Sequence, residues 1–230
     1  MLQQWPKQLV LVRHGESERN VKRELAKGKP DIHHYHEGLR DIDVKLTKRG
    51  LEQAHTTGEF LAAHYGFDVV FVSPYTRTMQ TAEAILRHFD PRPEMVRDER
   101  IREIEFGVLD GLTNAGIRSR YPEEYERRKR EGHYWYRPPG GESRPDVALR
   151  VHSFLNSMTR DFAGCRALVV CHSVVVLIFR RLLERWGEDE YLKVNRENDV
   201  KNCSMTSYLY DAEHDRLVLD EYNTISYLEE

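Results

Sequence analysis

Three short apolar runs punctuate the chain: Leu9-Val10-Leu11-Val12, Val69 to Val72, and Ala167 to Cys171. Each is rich in β-branched residues and lacks polar alternation, the pattern of a strand buried on both faces, so each is predicted as an inner strand of a parallel sheet. Between and after them the period changes. Leu51, Ala54, Gly58, Leu61, Ala62 and Tyr65 recur three and four apart, with Thr47 placed to cap the helix and Gly66 to stop it. Met79, Ala82, Ile85, Leu86 and Phe89 mark a second helix, Val147 to Phe162 a third, and Val174 to Trp186 a fourth. Met205–Tyr210 and Arg216–Tyr222 alternate as an antiparallel pair at a sheet edge. Strand and helix in alternation, with short joints, predict right-handed crossovers. The expected fold is therefore a three-layer α/β/α sandwich with a mainly parallel sheet and an antiparallel edge.

Two segments break this rhythm. Residues 21–45 are polar and irregular, with Gly28, Pro30 and Gly38, and read as a long loop holding at most a helical turn. Residues 113–142 read as an insertion, helical in its charged first half and ending in His133-Tyr134-Trp135-Tyr136-Arg137-Pro138-Pro139-Gly140-Gly141-Glu142. Both are expected to act as lid or specificity elements on one domain spanning residues 1–230.

Composition narrows the function classes. The chain has 230 residues, 40% hydrophobic and 32% charged, which is globular and excludes disordered and low-complexity readings. A net charge of −3 and a pI of about 6.4, without a basic stripe, argue against a nucleic-acid partner. The longest mostly apolar stretch, Ala167 to Phe179, contains His172 and Ser173 and is shorter than the roughly 20 residues of a membrane span. The opening residues MLQQWPKQ lack the apolar core of a secretory signal. Cys165, Cys171 and Cys203 form no CxxC and leave an odd count, which points to a reducing, cytoplasmic compartment. Asn202-Cys203-Ser204 matches a glycosylation sequon, which carries no weight without a secretory signal.

The candidate chemistry lies where strands end. LVLV runs into Arg13-His14-Gly15, and ALVVC into His172-Ser173. Ligands of open α/β sheets bind beyond the carboxyl ends of the strands, so two histidines from distant strands are predicted to face one site. Arg77 lies in the first turn of the helix after strand 69–72, also at a strand's carboxyl end. Two guanidiniums, two imidazoles and a helix N-terminus suit a dianion, phosphate above all.

Four blocks in order then carry a family resemblance. They are Arg13-His14-Gly15-Glu16 with Asn20; Ser73-Pro74-x-x-Arg77-x-x-x-Thr81-Ala82; Glu103 within Arg102-Glu103-Ile104-Glu105-Phe106-Gly107; and the late His172. From about residue 8 to residue 210 the sequence resembles the histidine phosphatase superfamily, also called phosphoglycerate mutase-like. Tyr136 to Ser143 and Asn202-Cys203-Ser204 resemble the phosphatase-type members more than the glycolytic mutases.

The resemblance implies that His14 is the nucleophile and forms a phosphohistidine. It implies that Arg13, Arg77 and His172 hold the transferring phosphoryl oxygens, and that Asn20 adds a neutral hydrogen bond. Glu103 is implied as general acid and then base, with Glu105 and Glu16 as neighbouring carboxylates and spacing to Gly107 favouring Glu103. Such transfer rests on positioning and electrostatics, so no metal or other cofactor is expected. Ser173 stands where relatives usually have Gly, which bears on substrate fit. Tyr134, Trp135, Tyr136 and Arg137 are candidates to line the pocket mouth. Three histidines, His33, His34 and His36, invite a zinc reading, but no Cys or second ligand cluster accompanies them, and a solvated loop is the plainer reading.

The implied activity is hydrolysis of a small phosphorylated metabolite. The alternative is a bisphosphoglycerate-dependent phosphoglycerate mutase, for which Arg127-Arg128 is a candidate second anchor, although amid Glu123, Glu124, Glu126 and Glu131 that pair reads as a solvated helix face. A non-catalytic phospholigand-binding protein is the remaining reading. The oligomeric state is left open, a homodimer being one option.

Overall fold

A computed structural model of the chain describes residues 3–35, 38–197 and 199–228. Its centre is one six-stranded sheet: β1 (Gln8–Arg13), β2 (Val69–Val72), β3 (Glu94–Arg97), β4 (Arg166–Cys171), β5 (Met205–Asp211) and β6 (Arg216–Thr224). The strand order is β3-β2-β4-β1-β5-β6. Strands β3, β2, β4 and β1 run parallel, while β5 and β6 run antiparallel and make one edge.

The sheet is covered on both sides because side chains alternate across it. Val10, Val12, Val70, Val72, Leu168 and Val170 pack with Leu61 of α2 (Lys48–His64) and with Ile85 and Leu86 of α3 (Thr76–Leu86). Leu9, Leu11, Phe71, Val169 and Cys171 face the other way. They pack with Val151, Phe154 and Met158 of α6 (Arg144–Asp161) and Val175, Val176 and Phe179 of α7 (Ser173–Leu183). The three-layer α/β/α sandwich is thus present, and the uninterrupted apolar runs are its central strands.

Four places differ from the sequence-based expectation. The polar stretch read as loop from residue 21 contains most of α1 (Glu18–Ala26), whose start is a reciprocal capping box between Ser17 and Asn20. Only Arg19 and Ala26 of that helix are buried, so it carries almost no apolar period to read. Strand β3 and helix α8 (Glu188–Glu197) were unpredicted for the same reason: β3 is a half-exposed edge strand, and α8 buries only Tyr191 and Val194. In the insertion, α4 (Asn114–Arg120) and α5 (Pro122–Trp135) fill the charged first half as expected, and α5 runs three residues past it across a kink at Gly132, whose φ is +78°. Among the described residues, no helix is long and apolar enough to cross a membrane.

Candidate active site

Adjacent strands end at the same level. In the β1–β4 ladder Arg13 pairs with Cys171, and the His14 amide donates to the Cys171 carbonyl at 3.0 Å, so His14 and His172 leave the sheet side by side. Their ring centroids are 5.2 Å apart at 64°. Strand β2, on the other side of β4, is followed by Ser73, whose Oγ lies 2.8 Å from His172 Nε2. All three residues are essentially buried, as is Arg77.

The His14 ring is held in one tautomer. Its Nδ1 lies 2.7 Å from the carbonyl oxygen of Gly15, which can only accept, so Nδ1 carries the proton. Nε2 is left with its lone pair, and Arg77 Nε donates to it at 3.2 Å. Burial, then Arg77 and Arg13, push the His14 pKa well below its ordinary value, so the imidazole is neutral and nucleophilic near pH 7.

The 200–204 segment shapes the base of the site. Arg13 Nη1 donates to the Val200 carbonyl, the Cys203 amide donates to the Arg13 carbonyl at 3.0 Å, and Asn202 Nδ2 donates to the His14 carbonyl at 2.9 Å. Cys203 holds φ at +55°, a conformation that costs a non-glycine residue energy and turns the loop around Arg13-His14. Asn202 thus points inward, to the site, and its sequon match is incidental. The His loop itself leans on Gly50: a Cβ there would overlap the Glu16 carbonyl oxygen, so only glycine allows α2 to approach this closely.

Two buried donors point to an oxyanion. Arg13 Nε and His172 Nδ1 have no hydrogen-bond partner among the described residues. Arg77 presents its outer edge to Asp41, with Nη1 donating at 2.6 Å to its carbonyl and at 3.1 Å to Oδ1, and Nη2 donating at 3.0 Å to Oδ2. Asp41 is also paired with Arg19, which binds Asp110 as well. These cations hold the Asp41 carboxyl below its usual range despite its burial.

The carboxylates separate by environment. Burial raises the Glu103 pKa above the ordinary range, opposed by the Ile104 amide at 3.0 Å and by Arg77. Glu105 Oε1 instead accepts from Tyr75 Oη at 2.8 Å, and Glu16 Oε1 accepts from Thr47 Oγ1 at 2.8 Å. A buried carboxyl with a raised pKa beside two arginines has the environment that general-acid chemistry needs, whereas Glu105 and Glu16 are committed to Tyr75 and Thr47.

The buried histidines make stability pH-dependent in a definite direction. The His14 and His172 pKa values lie well below 6.5 in the fold, so below pH 6.5 the unfolded chain binds protons that the native protein refuses. Stability is then present above that pH and lost as pH falls, by about 1.4 kcal/mol per pH unit for each histidine. Glu103, shifted upward, offsets part of the loss where its unfolded form is ionised. Melting temperature measured from pH 7.5 to 5 should fall, and His172→Gln should make the fall shallower. A flat profile would contradict neutral burial of the pair.

A cavity of about 1080 Å³ opens beside this cluster, lined by Arg13, Asn20, Tyr136 and Ser173, among others. Asn20 reaches it from α1, with its Oδ1 bound by Ser17 and Asn202. Tyr136 is buried and donates to Glu124 at 2.6 Å. The structure does not bring Arg137 there: its side chain is 65% exposed and turns to the Gly141 carbonyl and Asp146. Arg127 likewise turns away, to Glu124, Glu131 and the Arg137 carbonyl, whereas Arg128 lines the cavity. The solvated-face reading therefore holds for Arg127 and fails for Arg128. His33 and His34 lie beside Leu112 and Thr113, His36 falls outside the described residues, and no group of three metal-ligating side chains occurs among those described.

Several site residues were not foreseen. Ser73 and Asn202 stood inside blocks already singled out, but only the fold shows what they bond. Asp41, Arg19, Asp110 and Tyr75 left no signal, because their pairing joins segments far apart in sequence.

The sequence model of the histidine phosphatase superfamily (branch 1) matches residues 9–223, and the chain belongs to that family. A 2,3-bisphosphoglycerate-dependent phosphoglycerate mutase of Rhizobium rhizogenes is 33% identical over 202 residues, covering 84% of this chain and 86% of its own. Among solved structures, Bacillus stearothermophilus YhfR superposes with a TM-score of 0.77 at 24% identity, over 96% of this chain and 98% of that one. A mycobacterial glucosyl-3-phosphoglycerate phosphatase with VO3 bound gives 0.72 at 23% identity, over 95% and 100%. These two likenesses establish the fold.

Proposed function

We propose that the protein hydrolyses a small phosphomonoester through a phosphohistidine on His14, without a metal ion. The observation that carries this reading is the His14 tautomer: Nδ1–H fixed on the Gly15 carbonyl and the Nε2 lone pair aimed into a nest of Arg77, Arg13 and His172. Nε2 attacks phosphorus as the ester oxygen departs with the Glu103 proton. Water then attacks the phosphohistidine, Glu103 takes its proton, and phosphate leaves, regenerating His14. Arg77 and Arg13 balance the charge on the non-bridging oxygens throughout, the task a metal performs elsewhere.

Hydrolysis is favoured over mutase chemistry by the space around the site. A mutase must exclude water while a bisphosphorylated intermediate turns over. A cavity of about 1080 Å³ admits water beside any small phosphate ester. The mutase reading rests on the relatives' name and on Arg128 facing the cavity.

A paired assay separates them. One preparation, with chelator present, is given phosphoglycerates and sugar phosphates, and free phosphate is measured beside interconversion of 3- and 2-phosphoglycerate with bisphosphoglycerate primer. Phosphate release should dominate and be insensitive to chelator. Isomerisation faster than release by about a hundredfold, a barrier difference of roughly 2.7 kcal/mol, would establish the mutase instead.

A further inference from the structure

Arg77 faces the nucleophile with only one of its two forks. A guanidinium offers an end fork, Nη1 with Nη2, and a side fork, Nε with Nη2. Asp41 takes the whole end fork: its carbonyl and Oδ1 accept from Nη1, and its Oδ2 accepts from Nη2. Nε donates instead to His14 Nε2 at 3.2 Å. Among the described residues Nη2 bonds only to Asp41, so its second N–H, the one beside Nε–H, is left for a ligand. The ring of Tyr75 covers one face of the guanidinium, its centroid 4.8 Å from Cζ. Arg77 is thus held by its end and its face, and the fork that remains is the one beside His14.

Asp41 is itself fixed from more than one side. Arg19 of α1 pairs with its Oδ1 and also reaches Asp110 and the Tyr35 hydroxyl. A carboxylate shared between two arginines leaves part of the positive charge of Arg77 for a phosphoryl group. The single 3-10 turn that carries it, Asp41–Asp43, is followed at once by separate ties to the fold. Val44 is fully buried, the Glu18 amide donates to the Lys45 carbonyl at 3.1 Å, and the Leu46 amide donates to Gln80 Oε1 at 2.9 Å. This segment is therefore anchored to α1 and α3 without the Asp41 carboxylate. A long arginine side chain, by contrast, has many rotamers and keeps one aim only when its head is gripped.

We propose that Asp41 is a positioning residue for phosphoryl transfer: it grips the end fork of Arg77 so that the side fork stays aimed at the phosphoryl group reacting at His14 Nε2. The assignment rests on the phosphohistidine reading for the reaction and adds the group that orients one of its cations. The aim matters most in the transition state, where charge on the non-bridging oxygens must meet donors already in place. Binding of a ground-state phosphate tolerates a looser guanidinium, so the effect belongs to kcat rather than to KM.

Asp41→Asn keeps the shape and one acceptor but sets an amide against Nη2. With p-nitrophenyl phosphate it should lower kcat about thirtyfold and move KM by less than about threefold. Vanadate, which takes the five-coordinate shape of the transferring phosphoryl group, should lose affinity by a similar factor while inorganic phosphate keeps its own. The ratio of the two affinities is read on one preparation, so partial unfolding cancels. In an Arg77→Gln background there is no fork to grip and Arg19 still pairs with Asp41, so Asp41→Asn should change kcat by less than about twofold. Asp41→Glu, which keeps a counter-ion for both arginines on a longer arm, should cost about tenfold in kcat even if Asp41→Asn fails to fold. The full loss persisting in the Arg77→Gln background, or an unchanged kcat in Asp41→Glu, would overturn the assignment. A lower melting temperature in Asp41→Asn with kcat and the affinity ratio unchanged would reduce Asp41 to a structural ion pair and overturn it as well. Tighter phosphate binding or faster turnover in Asp41→Asn would mean that Asp41 competes with substrate for Arg77, again overturning it. No hydrolysis by the wild-type protein, with the vanadate preference measured by calorimetry still lost in Asp41→Asn, would fault the phosphatase reading and keep the role of Asp41.

Discussion

His14→Ala should lower kcat/KM for any phosphomonoester by roughly four orders of magnitude or more, the loss expected when a nucleophile that acts with its neighbours as a unit is removed. The fold should survive the change. His14 follows β1 rather than belonging to either apolar core, and alanine can keep the backbone bonds to Cys171 and Asn202 that define the turn. Circular dichroism and melting temperature beside the kinetics separate lost chemistry from lost structure. Retention of more than about a hundredth of the activity by the folded variant would mean that His14 is not the attacking group.

Glu103→Gln carries the second large effect, and its signature is selectivity. An alkyl leaving oxygen must be protonated as it departs, whereas a nitrophenolate leaves unaided. In kcat/KM, which reports the first phosphoryl transfer, alkyl phosphates should lose about a thousandfold and p-nitrophenyl phosphate less than about tenfold. Glutamine keeps the shape and can still accept from the Ile104 amide, so the change isolates the proton. Glu105→Gln should spare this selectivity, because Glu105 is committed to Tyr75. Equal losses on both substrate types, or the larger selective loss at Glu105, would move the acid.

How much of this was readable in the chain depends on what each feature needs. The inner strands were legible because burial on both faces leaves no polar positions, and strand ends then placed His14 and His172. Their meeting needed only that β1 and β4 be neighbours, which the strand order provides. Elements with little apolar surface were not legible: α1 is held by a capping box and by the buried pairing of Arg19, and β3 by its ladder with β2 and the half-buried Met95 and Val96. Charge was the hardest feature to read. Arg127 and Arg128 stand in the same acidic context, but one residue of helix is a turn of about 100°. Arg127 meets Glu124 and Glu131 three and four residues away, while Arg128 looks into the cavity. Arg137 erred in the other direction: it lies beside Tyr136 in sequence, yet bonds the Gly141 carbonyl on the exposed side. Asp41 shows the general limit, since its hold on Arg77 and Arg19 exists only once loop and helices are assembled.

The central claim is that phosphate passes through His14, and Glu103→Gln offers the means to catch it. With p-nitrophenyl phosphate the first transfer needs little acid, but breakdown of the intermediate needs the missing base, so the covalent form should accumulate. The measurement is an alkaline quench during turnover, followed by peptide mass spectrometry. The predicted result is one phosphate on the peptide containing His14, stable in alkali and lost in acid, and absent from His14→Ala. Phosphate on a serine, threonine or aspartate, or turnover by the variant with every peptide unmodified, would contradict it.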